Sequence, residues 1–217
     1  MDLSNFTIRN VIHSSFTQVH ELDEFIDTLE TAAEWLKANN IKQWPPGMFR
    51  DSRASILKDI IAKRCFMIDY RPSSPDPSIT DTVAGLFVLN YDDSFDELLW
   101  GRYAEDWMDA LYLHRLIIKK PFQGLGLMPS IVAFAEEKVK EEGRHFLRMD
   151  CLADNSVLRR YYRERCRGIG KGGFKELTTV WNADLAMEFV LFEIQVKSAY
   201  SSESQLRSAD NGIATKQ

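Results

Sequence analysis

The sequence predicts one α/β domain, a mixed and mostly antiparallel sheet of six or seven strands flanked by about four helices. Three observations point there. A chain of 217 residues with 45% hydrophobic and 12% aromatic content can bury a sizeable core. Short runs rich in β-branched and aromatic residues alternate with longer segments whose apolar residues recur at three and four. The stretch Leu111 to Gly143, LYLHRLIIKKPFQGLGLMPSIVAFAEEKVKEEG, reads as an apolar strand, a basic glycine-bearing turn and an amphipathic helix.

In chain order, Phe6 to Ile12 forms an opening strand. Ser15 with Gln18 resembles a capping box, and Val19, Leu22, Phe25, Ile26, Leu29, Ala32, Ala33 and Leu36 carry a long helix to Asn39-Asn40. Pro45-Pro46-Gly47 breaks the chain before a helix from about Asp51 to Lys63, with Ile56, Leu57, Ile60 and Ile61 on its buried side. Cys65 to Tyr70 and Thr82 to Asn90 are strands two and three, joined by the three-proline loop Arg71 to Asp81. In strand four, Leu111 to Ile118, strict alternation puts Tyr112 and His114 on one side with Leu116 and Ile118. The third helix buries Leu127, Ile131, Phe134, Ala135 and Val139 and stops at Gly143. Phe146 to Cys151 is strand five, Asn155 to Arg165 a helix capped by Asp154 or Asn155, and Phe174 to Val180 and Met187 to Val196 the last strands. The domain is expected over 1–197, and the polar stretch 198–217 as a disordered tail.

Composition excludes several classes. No apolar run reaches the eighteen or so residues of a membrane span, and Met-Asp-Leu-Ser-Asn is no signal peptide, so a soluble cytoplasmic protein with no membrane association is expected. A net charge of −5 argues against nucleic-acid binding. Cys65, Cys151 and Cys166 are odd in number and lack the spacing of a metal site, which predicts reduced thiols and no metal.

The turn Gln123-Gly124-Leu125-Gly126 ahead of a helix leaves backbone N–H groups where the helix dipole favours an anion. Glycine also serves a tight turn for steric reasons, so both readings stand. No Lys-Ser or Lys-Thr follows, which rules out a P-loop, and the dinucleotide fingerprint is missing. The segment Asp92 to Asp109 holds seven acids (Asp92, Asp93, Asp96, Glu97, Glu105, Asp106, Asp109) against Arg102, with Trp100, Tyr103 and Trp107 interleaved. It is either a solvated face or a lid that draws in a cationic amine by its field and by cation–π contact.

Read as Q-x-x-G-x-(small), Gln123 to Met128 resembles the acyl-CoA pyrophosphate motif of the GNAT superfamily of N-acetyltransferases. Asn155, with Tyr162 seven residues later, is similar to that superfamily's second signature. Trp35-Leu36 with Ile41-Lys42-Gln43-Trp44 resembles a segment of a bacterial and fungal branch. The three matches run from Trp35 to Phe192. Two features depart from the pattern: Met128-Pro129 stands where a small residue is usual, so Met128 must turn its side chain away from a diphosphate, and 166–172 is inserted ahead of Gly173-Phe174.

The resemblance implies a sheet splayed between strands four and five and an N-acetyltransferase that takes acetyl-CoA. Leu116, Ile117 and Ile118 would pair with the pantetheine arm like a missing strand. Gln123, Gly124, Leu125, Gly126, Leu127 and Met128 would cradle the diphosphate, and Asn155 would contact the cofactor arm. Tyr162 would protonate the leaving thiolate, with Tyr161 as its alternative. His114 is the candidate base, with Glu105, Asp106, Asp109 or water as rivals. Trp44, Phe49, Trp100, Trp107 and Tyr112 are candidate acceptor contacts, and Lys119, Lys120, Arg159 and Arg163 candidates for a ribose phosphate. The expected acceptor is a small-molecule primary amine, and the protein a monomer or homodimer. An acyl-CoA sensor on the same fold, or an enzyme acting on a protein N-terminus or lysine, are the competing readings.

Overall fold

Strand-forming runs and amphipathic helices alternate along the chain, and this alternation lays every strand into one sheet with helices on both faces. The computed structural model describes residues 2–12, 18–73, 81–170 and 172–196. Ser15, residues 74–80 of the proline loop, Lys171 of the insertion and the tail from 198 lie outside the described residues.

The strands are β1 (Phe6–Asn10), β2 (Cys65–Tyr70), β3 (Thr82–Asn90), β4 (Ala110–Ile118), β5 (Phe146–Leu152), β6 (Phe174–Asn182) and β7 (Met187–Gln195), in the order β1-β2-β3-β4-β5-β7-β6. Every neighbouring pair is antiparallel except β4 and β5. The helices are α1 (Gln18–Ala38), α2 (Met48–Asp51), α3 (Arg53–Ile61), α4 (Ser94–Trp100), α5 (Met128–Glu141) and α6 (Ser156–Arg165).

One face of the sheet packs on α5 and α6, with Phe66, Phe87, Leu111, Leu113, Leu147, Met149 and Phe192 meeting Ile131, Ala135 and Tyr162. The other face is covered in two parts. Cys65, Met67, Leu86 and Val88 meet Phe25, Leu29 and Ile56 of α1 and α3, and Ala110, Tyr112, Phe189 and Leu191 meet Leu99 and Trp100 of α4. Among the described residues no helix is long and apolar enough to cross a membrane.

Two helical segments differ from the sequence expectation. The helix expected over Asp51 to Lys63 is α3, and a separate short helix, α2, precedes it, because the Glu30 carboxylate of α1 accepts the N–H groups of Gly47, Phe49 and Arg50 at 2.7, 2.9 and 3.0 Å. A cap supplied from another helix leaves no local signature. Helix α4 forms inside the acidic stretch, where the Asp93 side chain accepts from Phe95 N–H at 2.9 Å.

Strand β4 departs from strict alternation. Leu86 faces Ile117 and Val88 faces His114, so Arg115 and Leu116 together oppose Phe87 in a β-bulge, with Arg115 at φ +52°. The extra residue reverses the parity of everything after it. His114 stays on the α1–α4 face, while Leu116 and Ile118 pack into the α5/α6 core with Leu111 and Leu113. The expectation that Tyr112 and His114 share a side with Leu116 and Ile118 is therefore corrected.

Gly85 explains how β3 tolerates this geometry. A Cβ there would lie 2.4 Å from the Ile117 carbonyl oxygen, so only glycine permits the approach. Gly85→Ala is expected to push the Leu116–Ile118 segment outward and destabilise the fold by about 1–3 kcal/mol, read by chemical denaturation.

Candidate active site

The site is set by a parting of strands. β4 and β5 pair at three positions, Ala110 with Phe146, Leu111 with Leu147 and Tyr112 with Arg148. Beyond these, β4 runs on against β3 and β5 against β7. The β5-facing edge of β4 from Leu113 to Ile118 is thereby left without a strand partner, and its main-chain groups can pair with an extended ligand.

At the open end of the split the chain passes through the Lys120–Phe122 turn into the glycine bend. Gly124 and Gly126 stand at φ +78° and +79°, and a Cβ built on either would meet nothing within 4 Å, so the bend lines open space. The amides of Gly124 to Met128 have no hydrogen-bond partner among the described residues. Five donors at the N-terminus of α5 fit a diphosphate. Met128 buries its side chain in the α5/α6 core, as does Leu127, so Met128 does not obstruct the cradle. Gln123 donates from Nε2 to the Ile118 carbonyl at 2.9 Å and ties the bend to the strand.

Across the split, Asn155 caps α6, its Oδ1 accepting Leu158 N–H at 3.1 Å, and its Nδ2 reaches Gln43 Oε1 at 3.4 Å. Tyr162 is turned into the α5/α6 side, its ring 5.2 Å from Phe192 and 5.7 Å from Phe174. Its hydroxyl makes no hydrogen bond to a described residue, and burial, reinforced by Cys151, Cys166 and Asp150, pushes its pKa well above the ordinary phenol value. It is a proton donor at any working pH. Tyr161 points outward, 40% exposed.

His114 sits two residues past the last β4–β5 pair. Its Nε2 lies 2.9 and 3.1 Å from the two oxygens of Asp96, and its Nδ1 lies 4.0 Å from Asp150 Oδ1. Burial opposes a charge on the ring, yet the Asp96 carboxylate overrides it and the imidazole is pushed up to about 9. At neutral pH His114 is an imidazolium without a free lone pair. An imidazole held in this way by Asp96 favours its protonated form, which weighs against the base role expected for His114.

Several expected acceptor contacts are corrected. Trp100, Tyr112 and Phe49 are 0%, 0% and 1% exposed and belong to the core, so they cannot wall an open pocket. The Tyr112 hydroxyl donates to the Trp107 carbonyl, and Trp100 stacks on Arg148, whose guanidinium is also held by Asp106 and Glu193. Trp44 and Trp107 are half-buried, Trp44 edge-on to Phe49. The acidic stretch is mostly engaged internally: Asp92 with Arg64, Asp93 at the α4 cap, Asp96 with His114, Asp106 with Arg148, Asp109 with His145. Its field on an acceptor is thus largely neutralised, and Asp106 and Asp109 are occupied as bases. Lys119 and Arg159 pair with Glu24 and Glu176, which leaves Lys120 and Arg163 without an ion pair among the described residues. Cys65, Cys151 and Cys166 are buried free thiols, pushed up by burial to about 12, 12 and 11.

Sequence reasoning counted Asp96 only as one acid of the acidic stretch, without its partner His114, and missed Asp150. Each had a signal: an acid amid the apolar spacing of Phe95, Leu98 and Leu99, and an acid inside the otherwise apolar end of strand five.

A family model described as the Acetyltransferase (GNAT) family matches residues 29–169. The chain belongs to the GNAT acetyltransferase family. An uncharacterized N-acetyltransferase of Bacillus subtilis, YesJ, is 24% identical over 161 residues, covering 74% of this chain and 84% of the relative. A GNAT acetyltransferase structure from Listeria monocytogenes superposes with a TM-score of 0.61 at 20% identity, over 88% of this chain and 94% of that one. A Vibrio cholerae spermidine N-acetyltransferase chimera gives 0.55 at 14% identity, over 88% and 95%. These two structures share the fold of this GNAT protein. Membership makes it an acyltransferase of the acetyl-CoA-using kind, and the split strand with its free bend amides fits that group.

Proposed function

We propose that this protein transfers the acetyl group of acetyl-CoA to a primary amine carried by a small molecule. The main support is the split between β4 and β5, which sets a main-chain edge and an anion cradle on the α5/α6 side and the polar side chains of His114, Asp96 and Asp150 on the other. When bound, acetyl-CoA supplies the acyl carbonyl and the thiol leaving group. The unpaired edge of β4 orients the pantetheine arm, the amides of Gly124 to Met128 hold the diphosphate, and Asn155 fixes the start of α6. Tyr162, kept protonated by burial, gives its proton to the departing thiolate. A small acceptor is favoured by the Gln43–Asn155 contact, which ties the loop after α1 to the start of α6 across the site.

The reading is tested by thiol release from acetyl-CoA with n-butylamine, spermidine, free amino acids and an N-terminal peptide. Turnover is expected with a small amine; turnover on the peptide alone would overturn the acceptor class. Tight CoA binding with no turnover would turn the reading to an acyl-CoA-sensing module. Tyr162→Phe is expected to lower kcat about tenfold with CoA affinity kept, since general acid catalysis acts on the chemical step. An unchanged kcat would remove Tyr162 from the chemistry.

A further inference from the structure

The two sides of the split differ in chemistry. Tyr162, Leu116 and Ile118 lie on the α5/α6 side, where the cradle is. His114 and Asp150 lie on the opposite side, each two residues past the last β4–β5 pair, Tyr112 with Arg148, so they meet at the first open position of the gap. A cofactor gripped from the α5 side leaves the acceptor to arrive from the other.

Asp150 is unusual there. Its Oδ1 is buried and without a hydrogen bond, 4.0 Å from His114 Nδ1, and the side chain is 11% exposed. A buried carboxylate oxygen with no donor is costly unless a ligand supplies one, and an ammonium does so. The groups that face it are His114 from β4 and Asp96 from α4 behind His114, with Asp93 farther along; Tyr162 of α6 feels its charge from the other side of the sheet, and its β7 neighbour is the apolar Leu191.

We propose that Asp150 is the catalytic base: it receives the acceptor's ammonium and takes its proton, while His114, held by both oxygens of Asp96, is the positioning residue that orients Asp150. The proposal rests on the acetyl-transfer reading and assigns the acceptor as a protonated primary amine. The ammonium gives one proton to Asp150, which passes it to water, and the nitrogen lone pair forms the C–N bond as the C–S electron pair leaves on sulfur. The nitrogen's second surplus proton goes to solvent, from which Tyr162 is reprotonated after giving its own to the thiolate. Atoms and charge balance to amide, thiol and one released proton.

Burial raises the Asp150 carboxyl to about 6 against the opposing pull of His114, which suits a base working near neutrality. The test is the pH dependence of thiol release with acetyl-CoA and n-butylamine or spermidine. Wild type is expected to show an acidic limb near that value. Asp150→Asn should lose about 100-fold in kcat/KM at neutral pH and recover only as the free amine appears in bulk, with CoA affinity unchanged. Asp150→Glu should restore part of the rate. His114→Gln should move the acidic limb to higher pH, because removing a neighbouring cation makes the carboxylate harder to ionise, a shift that a merely structural role would not give. Independently, carbon-13 NMR of aspartate-labelled protein should show one carboxyl, missing in Asp150→Asn, titrating near 6; titration at the ordinary 3.8 would overturn the proposal. A working wild type with Asp150→Asn within twofold and the same profile sinks Asp150 and leaves acetyl transfer standing. A wild type that binds CoA and acetylates none of the amines sinks both.

Discussion

Asp96→Ala is expected to lower the stability of the fold by about 3–5 kcal/mol, because it strips the partner from a charge that the core has already desolvated. Asp96 is 0% exposed, and its two oxygens hold the His114 ring on α4. Without it, burial opposes the charge on His114 with only Asp150 and Asp93 left to support it, which lowers the pKa of the ring. The pH dependence gives the signature. His114 has a folded pKa raised from 6.5 to about 9, so its contribution to stability is fully present below 6.5 and is lost as pH rises through about 9. Asp150, raised from 3.8 to about 6, acts in the same direction at lower pH: the folded state holds its proton more tightly, so stability falls as pH rises from 3.8 through about 6. Wild-type stability should therefore decline across the alkaline range, and denaturant titrations of Asp96→Ala should show that slope flattened. A variant as stable as wild type would mean that the pair does not hold α4 to the sheet.

Gly126→Asp is expected to weaken CoA binding about a hundredfold, or about 2.8 kcal/mol at 1.4 kcal/mol per tenfold, with little change in melting temperature. Gly126 is at φ +79° and a Cβ would find no neighbour within 4 Å, so the substitution meets backbone preference and no packing. Aspartate is among the residues that visit this conformation, which limits the strain to about 1 kcal/mol. Its carboxylate would stand among the free amides, accept their hydrogen bonds and repel the diphosphate. Titration calorimetry with CoA checks the outcome. Unaltered affinity would mean that the diphosphate lies elsewhere.

The sequence carried most of the scaffold because the scaffold rests on periodicity and punctuation. Gly143 at φ +67° ends the helix where expected, Asn155 caps α6 with its own side chain, and all seven strands fall within a few residues of their apolar runs. The candidate site was legible in its main-chain parts, since two glycines mark the bend at which the amides stand free. Its side-chain chemistry was less so. Arg115 adopts a positive φ without being glycine, a choice made by the pairing of β3 with β4 and invisible locally. The acidic stretch looked like a lid because a charge has no sequence mark for its partner: Arg148, His145, Arg64 and His114 come from distant elements. Trp100 and Tyr112 were read as pocket walls for the same reason, and both are core.

The bulge at Arg115 also divides labour within a single strand. The segment before it, with His114, looks toward the α1–α4 face, where the proposed mechanism brings the amine, and the segment after it, with Leu116 and Ile118, packs toward the α5/α6 face, where that mechanism puts the coenzyme. Substitutions upstream can therefore retune acceptor preference while the downstream grip stays constant, so the strand behaves as two modules hinged at one residue. Deleting Arg115 would let Leu116 oppose Phe87 alone, so every other side chain would keep its face while the bend that carries the strand away from β5 would be lost.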